Sequence, residues 1–265
     1  MRILVLAPFG SVEPHGKENL QKAARADTEF NFESISKVFP LPYNTFIYNV
    51  LKCADGATER IIKAEKEGYD AIVISCMLDP GLIEARAVVD IPVTAAFESA
   101  AHLACMMGRK YSVVSTDEIT VAGIDKLVDL YGVRQKLASL RYIGVTANKL
   151  YPEITPSEEI AERVVKVSKK CVEEDGAEVI IAGCTIIGAI FTYVFKKDPV
   201  EVIGVPVIDP QIVAFKTAEM LVDLQKKMNY PAVSRVGFWK KQPAEEYNNL
   251  RKWIKEHKSP LQYYI

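Results

Sequence analysis

The sequence predicts an α/β fold in two similar halves, each a mainly parallel sheet flanked by helices. Three observations carry that expectation. Short apolar, β-branched runs alternate with helical stretches along the chain, and a β–α–β alternation builds parallel sheets. Two of those runs are near copies: Gly68-Tyr-Asp-Ala-Ile-Val-Ile-Ser-Cys76 and Gly176-Ala-Glu-Val-Ile-Ile-Ala-Gly-Cys184 both start at a glycine, pass an acidic residue and stop at a cysteine. Glycine and cysteine keep one offset, 108 residues (68 to 176, 76 to 184). Third, Asp90-Ile-Pro-Val-Thr94 is echoed by Gly204-Val-Pro-Val-Ile-Asp209. A short apolar run behind a glycine is the mark of a strand buried on both faces.

At 265 residues the chain is long enough for one large α/β domain or two small ones, and 49% apolar residues supply a core. The net charge of −1 leaves no basic field, which argues against nucleic acid or an anionic membrane as main partner. No apolar run approaches the ~20 residues of a membrane span. The opening Met1-Arg-Ile-Leu-Val-Leu-Ala-Pro8 lacks the length and cleavage site of a signal peptide and reads as a buried strand. Five widely spaced cysteines, an odd number, do not make a disulfide framework; a reducing, cytoplasmic setting is expected.

Taken in order, residues 2–8 are the first strand. Phe9-Gly-Ser-Val-Glu-Pro-His-Gly16 is a turn-rich crossing. A helix follows over 17–27, then a strand over 32–38 closed by Pro40 and Pro42. Residues 55–67 read as helix and lead into the Cys76 strand. Asp79-Pro80-Gly81 resembles a helix start, with Asp79 as N-cap and Pro80 at the first helical position. Residues 91–94 are a short strand, and a helix over 98–107 ends at Gly108. The pattern then repeats: strand 111–116, helix 118–131, strand 141–145. Thr155-Pro-Ser-Glu158 is a capping box opening a long helix to Asp175. The Cys184 strand and the strand at 204–209 follow, and Asp209-Pro210 opens a helix to about 228.

The echo divides the chain into a first domain, residues 1–96 plus 208–228, and a second, residues 97–207. Residues 229–265 form a C-terminal arm. In it Tyr247, Leu250, Trp253 and Ile254 fall at helical spacing, an apolar stripe on a polar segment. The stripe packs the arm on its own body, or forms a dimer contact; the first reading is preferred. Expected partners are a small-molecule substrate and further copies of the chain.

The chemistry converges on two thiols. A free cysteine is ordinarily a small buried hydrophobe, and Cys53, Cys105 and Cys171, in or beside helices, are read that way. Cys76 and Cys184 differ because they share one register in a duplicated pattern, at the carboxyl end of a parallel strand. Ligands of doubly wound sheets bind there, and the next helix can stabilise a thiolate. Facing thiols suit one reaction: one removes the proton beside a carbonyl, the other returns a proton to the opposite face, and the roles exchange for the other enantiomer. The developing enolate oxygen needs donors. Candidates are backbone N–H groups around 77–79 and 185–187 and the hydroxyls of Ser115 and Thr116. Those hydroxyls read equally well as caps of the helix beginning near Asp117.

On these residues the chain resembles the aspartate/glutamate/hydantoin racemase superfamily, and within it the hydantoin and allantoin racemase branch. The resemblance is carried by Ser75-Cys-Met-Leu-Asp-Pro-Gly-Leu82, Ile91-Pro-Val93, Glu98-Ser-Ala-Ala101, Tyr111-Ser-Val-Val-Ser-Thr116, Gly183-Cys184 and Gly204-Val-Pro-Val-Ile-Asp-Pro210. It spans residues 1–228. It implies two pseudo-symmetric α/β domains, an active site in the cleft between them, and cofactor-independent racemisation or epimerisation by Cys76 and Cys184. The substrate implied is a 5-substituted hydantoin or an amino-acid derivative. Phe9, Met77, Leu78, Ser115, Thr116, Thr185 and Ile186 are the expected substrate-binding residues.

Three positions depart from the family pattern. The first strand commonly ends in an Asn-Pro-Asn type sequence, where this chain has Ala7-Pro8-Phe9-Gly10. A small residue commonly stands near the place of Leu78, and Ala-Gly where this chain has Thr185-Ile186. A larger, more apolar mouth implies a less polar or differently shaped substrate. Other constellations add little. His15, His102 and His257 have no metal-ligand spacing. No Walker loop, Cys-x-x-Cys or Gly-x-Gly-x-x-Gly is present. Glu98 could accept a substrate N–H. Rival functions are decarboxylation or cis–trans isomerisation on the same scaffold, and a catalytically silent binding protein.

Overall fold

The structure is a computed structural model that describes residues 1–9, 14–35, 46–150, 157–193 and 198–256. Two four-stranded sheets are present. The first orders β1 (Arg2–Ala7), β2 (Glu29–Ser34), β3 (Ala71–Ile74) and β4 (Val93–Ala95) as β2-β1-β3-β4. The second orders β5 (Tyr111–Ser115), β6 (Leu137–Tyr142), β7 (Val179–Ala182) and β8 (Val207–Ile208) as β6-β5-β7-β8. Every pairing is parallel, and the two orders are the same once the numbering is offset. Both cysteine-terminated strands, β3 and β7, therefore lie inside their sheets, each between the strand that opens its half and the short last one.

The central strands are apolar on both faces, as parallel strands between helix layers must be. On β1 and β3, Ile3, Val5 and Val73 face α1 (Pro14–Ala23) and α9 (Pro210–Met228), meeting Leu20, Phe215 and Ala218. Leu4, Leu6 and Ile72 face α2 (Ile47–Lys66) and α3 (Leu82–Val88), meeting Ile61 and Ala85. Around the second sheet, α4 (Ala96–Met107) and α5 (Glu118–Leu130) cover one face, and α6 (Ser157–Glu173) and α7 (Thr185–Tyr193) the other. Each fully buried Leu or Ile contributes about 1.5–3 kcal/mol, so both sheets are built around the same kind of core.

Several elements differ from the sequence expectation. β6 begins at Leu137 rather than 141, so the sequence reads its start four residues late. α2 starts at Ile47 rather than 55. α8 (Pro199–Ile203), opened by Asp198, had no expected counterpart. Residues 36–38 of the expected second strand, Pro40, Pro42, and the Thr155-Pro pair of the expected capping box lie outside the described residues. Asp209 does cap α9, accepting from the Gln211 N–H at 3.0 Å, with Pro210 at the first position.

Asp79 is a correction. It does not cap the helix after it: α3 starts at Leu82, and its N-cap is Gly81 at φ 82°. Asp79 is itself left-handed, at φ 44°. Its carboxylate instead accepts the N–H groups of Phe97 and Glu98 at 2.9 and 2.8 Å, at the first turn of α4. That helix has Ala95 at its own N-cap and no local side chain to satisfy those donors.

The C-terminal arm returns to the first sheet's side. Arg235 donates to the Arg86 carbonyl at 2.7 Å and to Asp90 at 2.8 Å, and Arg86 lies 5.8 Å from the Trp239 ring. In α10 (Ala244–Glu256), Arg251 pairs with Glu59 of α2. The stripe is only partly used: Leu250, Trp253 and Ile254 stay about half exposed, at 45–48%. No helix among the described residues is long and apolar enough to cross a membrane.

Candidate active site

Cys76 follows β3 and Cys184 follows β7, two residues beyond each strand. The two positions are equivalent in sheets of the same order, and both thiols are half-buried. Around Cys76, the Leu78 N–H points at the sulfur at 3.4 Å. Burial pushes the Cys76 thiol far up; the Leu78 N–H opposes this, while negative charge on Asp79 or Cys184 adds to it. Burial also raises the Cys184 thiol, opposed by the N–H groups of Ile187 and Ile186 at the start of α7.

The loop after Cys76 is packed into the far side of the molecule. Met77 and Leu78 belong to the core cluster of the second sheet, with Phe97, Ile124 and Val128. A Cβ on Gly123 of α5 would stand 2.6 Å from a Leu78 methyl, so α5 comes this close because it has glycine there. The side chains of Met77 and Leu78, expected among the substrate-binding residues, are 3% and 7% exposed and packed in that core. What Leu78 presents to the sulfur is its backbone N–H.

Asp79 continues the same attachment. Besides the two N–H groups of α4 it accepts the Tyr131 hydroxyl at 2.9 Å, from the end of α5. The Tyr131 ring stands 6.0 Å from that of Phe97. Burial lifts the Asp79 carboxyl from 3.8 to about 7, with nearby Glu98 adding, against the three donors that favour its charge. Beneath Cys76, the Ser75 hydroxyl donates to Gln211, which donates on to the Gly16 carbonyl, at 2.8 and 3.2 Å. Asn19 reaches from α1 to the Ala189 carbonyl on α7 at 3.3 Å.

The strand neighbouring β7 supplies Ser115 and Thr116, both essentially fully buried. The Ser115 hydroxyl donates to the Gly183 carbonyl at 2.7 Å, and the Thr116 hydroxyl to the Thr120 hydroxyl at 2.9 Å. Each hydroxyl has a single proton and spends it inside the protein. Neither is a free donor in this arrangement, and neither caps α5, whose N-cap is Asp117, accepting the Thr120 N–H at 2.9 Å. Phe9, past the end of β1, and Thr185 and Ile186, opening α7, are partly exposed. Glu98 is paired with Arg86 through two contacts at 2.7 and 2.6 Å. His102 is exposed on α4; the side chains of His15 and His257 lie outside the described residues.

Sequence reasoning missed Asp79 and Tyr131 as ties between the Cys76 loop and the α4–α5 layer. A signal existed: α4 opens with Ala95-Ala-Phe and has no capping side chain of its own, so its donors required a distant acceptor.

Duplicated parallel sheets of this order, each with a cysteine just past an inner strand, define an α/β protein of two similar halves. The chain belongs to the Asp/Glu/hydantoin racemase family, whose model matches residues 17–218. It is 36% identical over 231 residues to a hydantoin racemase of Pseudomonas sp. strain NS671, covering 86% of this chain and 88% of that protein. Among solved structures, the allantoin racemase of Klebsiella pneumoniae superposes with a TM-score of 0.76 at 26% identity, over 92% of this chain and 94% of that one. The allantoin racemase of Pseudomonas fluorescens gives 0.74 at 25% identity, over 91% and 97%. The chain is accordingly an isomerase of the racemase type.

Proposed function

We propose that this racemase works without a cofactor, through Cys76 and Cys184 as paired acid and base at a carbon beside a carbonyl. The observation that carries the reading is the equivalence of the two thiols: same strand, same register, two sheets of one order. On this reading the two walls of the cleft are residues 1–96 with 208–228, and residues 97–207.

One thiolate takes the proton from carbon, and the electron pair moves into the enolate. The other thiol delivers its proton to the opposite face. The backbone N–H groups of Met77 and Thr185, next to each cysteine, hold the developing oxyanion, since those of Leu78, Ile186 and Ile187 are turned to the sulfurs. The Ser115 hydroxyl supports the segment leading to Cys184 through the Gly183 carbonyl, and the Thr116 hydroxyl ties the neighbouring strand end to Thr120 of α5. Because relatives of this chain are hydantoin and allantoin racemases, a 5-substituted hydantoin or an amino-acid derivative is the proposed substrate class. Phe9, Thr185 and Ile186 are the side chains proposed to meet the substituent, which favours an apolar one. Five free cysteines fit a reducing cytoplasm.

The test is solvent deuterium exchange into chiral hydantoins, free amino acids and arylmalonate-type acids, read by mass spectrometry and chiral chromatography. Wild type should exchange and racemise at least one compound. Cys76→Ala and Cys184→Ala should each lose racemisation by about 10²–10⁴-fold, the usual contribution of an acid–base group. Full racemisation in either variant would remove that cysteine from the chemistry.

A further inference from the structure

The two thiols are equivalent in position but not in surroundings. Cys184 directly precedes α7, a nine-residue helix, and two N–H groups, of Ile186 and Ile187, favour its thiolate. Among the described residues Cys76 receives only the Leu78 N–H, and no helix follows it at once, since α3 begins at Leu82. Asp79 stands three residues on, across a turn closed by its own N–H on the Cys76 carbonyl at 3.1 Å, so a negative charge on it opposes one on the Cys76 sulfur, on top of the larger effect of burial. Asp117 acts on Cys184 in the same sense, but as the weakest of its influences. Its carboxylate is taken up capping α5, at 2.9 Å from the Thr120 N–H.

Asp79 is fixed where it stands. It is 6% exposed, with Oδ1 on the Phe97 N–H and Oδ2 on the Glu98 N–H and the Tyr131 hydroxyl. Three donors converging on one carboxyl match its ionised, acceptor-only form. The charged and titratable groups around it are Cys76 on its own loop, Glu98 on α4, Tyr131 at the end of α5 and Arg86 on α3. Glu98 repels it, but that charge is answered by the bidentate contact with Arg86.

We propose that Asp79 is a positioning residue that divides the labour between the thiols: its charge adds to burial in keeping Cys76 protonated, so that Cys184 carries the thiolate in the resting cleft. The consequence for catalysis rests on the two-thiol reading above. The Cys184 sulfur takes the proton from the first face presented, forming an S–H bond as the C–H pair enters the enolate. The Cys76 S–H bond then breaks, its proton goes to carbon, and the negative charge is left on Cys76. Asp79 makes that product form the less stable one. Return of a proton to Cys76, and loss of one from Cys184, through solvent, is then downhill and readies the cleft for the same enantiomer again. Because burial holds the Asp79 carboxyl at about 7, this asymmetry sets in through the neutral range.

The experiment needs no substrate. Iodoacetamide alkylation of all five cysteines is followed by peptide mass spectrometry from about pH 6 to about pH 9, in wild type, Asp79→Asn and Tyr131→Phe. In wild type, Cys184 should react about tenfold or more faster than Cys76 at neutral pH. Asp79→Asn should speed Cys76 about tenfold and leave Cys184 unchanged. Tyr131→Phe keeps the ring on Phe97 but removes one donor from Asp79, which then stays neutral to higher pH. It should speed Cys76 in the same direction by a smaller factor. The buried Cys53 and Cys171 report folding: they stay slow in an intact protein. If Asp79→Asn opens them, the wild-type order and Tyr131→Phe decide. The proposal is overturned if Cys76 is the faster thiol in wild type, or if its rate is unchanged in the variants that keep Cys53 and Cys171 slow. Absence of deuterium exchange would sink the proposed reaction and leave this thiol order standing.

Discussion

Gly183 sits one residue before Cys184 with no room for a side chain: a Cβ there would lie 2.6 and 2.7 Å from the Cβ and Cα of Ser115. The Ser115 hydroxyl then closes on the Gly183 carbonyl. Gly183→Ala should therefore cost about 1–3 kcal/mol from overpacking, read as a lower urea midpoint. Ser115→Ala should cost a comparable ~1–3 kcal/mol, because a buried carbonyl loses its only side-chain donor. Asp79 gives a pH signature. Its carboxyl stands at about 7 in the folded protein against an ordinary 3.8, so folding favours the protonated form. The stabilisation is full below about 3.8 and is lost as pH rises through about 7. The stability of Asp79→Asn relative to wild type should therefore rise as pH is raised from about 4 to about 8, on top of a pH-independent cost of turning an amide NH2 group toward these donors. Urea unfolding of both proteins across that range checks the sign. A difference independent of pH would show that Asp79 titrates normally.

At the scale of elements, the Cys76 loop is held by α4 and α5 as much as by its own strand. Leu78 occupies the space above Gly123, and Asp79 caps α4 from outside that helix. Gly123→Ala should push the Leu78 side chain away and carry its N–H off the Cys76 sulfur. The expected outcome is a loss of about 1–3 kcal/mol together with an altered Cys76 alkylation rate and an unaltered Cys184 rate. Equal changes at both thiols would mean the two loops move as one. Here sequence and structure part most clearly. Asp-Pro-Gly is a sound local signature for a helix start, and Asp209-Pro210 obeys it. Asp79 does not, because the uncapped α4, distant in sequence and adjacent in space, offers it two N–H groups.

For the whole molecule, the arm beyond α9 is attached by Arg235 to the α3–β4 corner and by Arg251 to α2. None of those contacts reaches the cysteine loops. A chain ending after Tyr230 should lose thermal stability by several degrees and keep the order of thiol reactivity. A changed order would make the arm part of the cleft.

The sequence by itself determined the two sheets, their parallel strands and the placing of two thiols at equivalent strand ends. Those features follow from local periodicity and from a repeat of 108 residues, both legible along the chain. Strand limits slid where the pattern is half-buried, as in β6, since only a fully buried strand marks itself by unbroken apolar character. Only the tertiary structure decided which groups are free to act. It spends the Ser115 and Thr116 protons internally, pairs Glu98 with Arg86 and turns the Leu78 side chain into core. It also sets Asp79 against Cys76 and two helix N–H groups against Cys184, breaking the symmetry of the repeat. The physical reason is that a hydrogen-bond partner or a neighbouring charge acts through space, and residues such as Asp79 and Tyr131 meet only when the chain has folded.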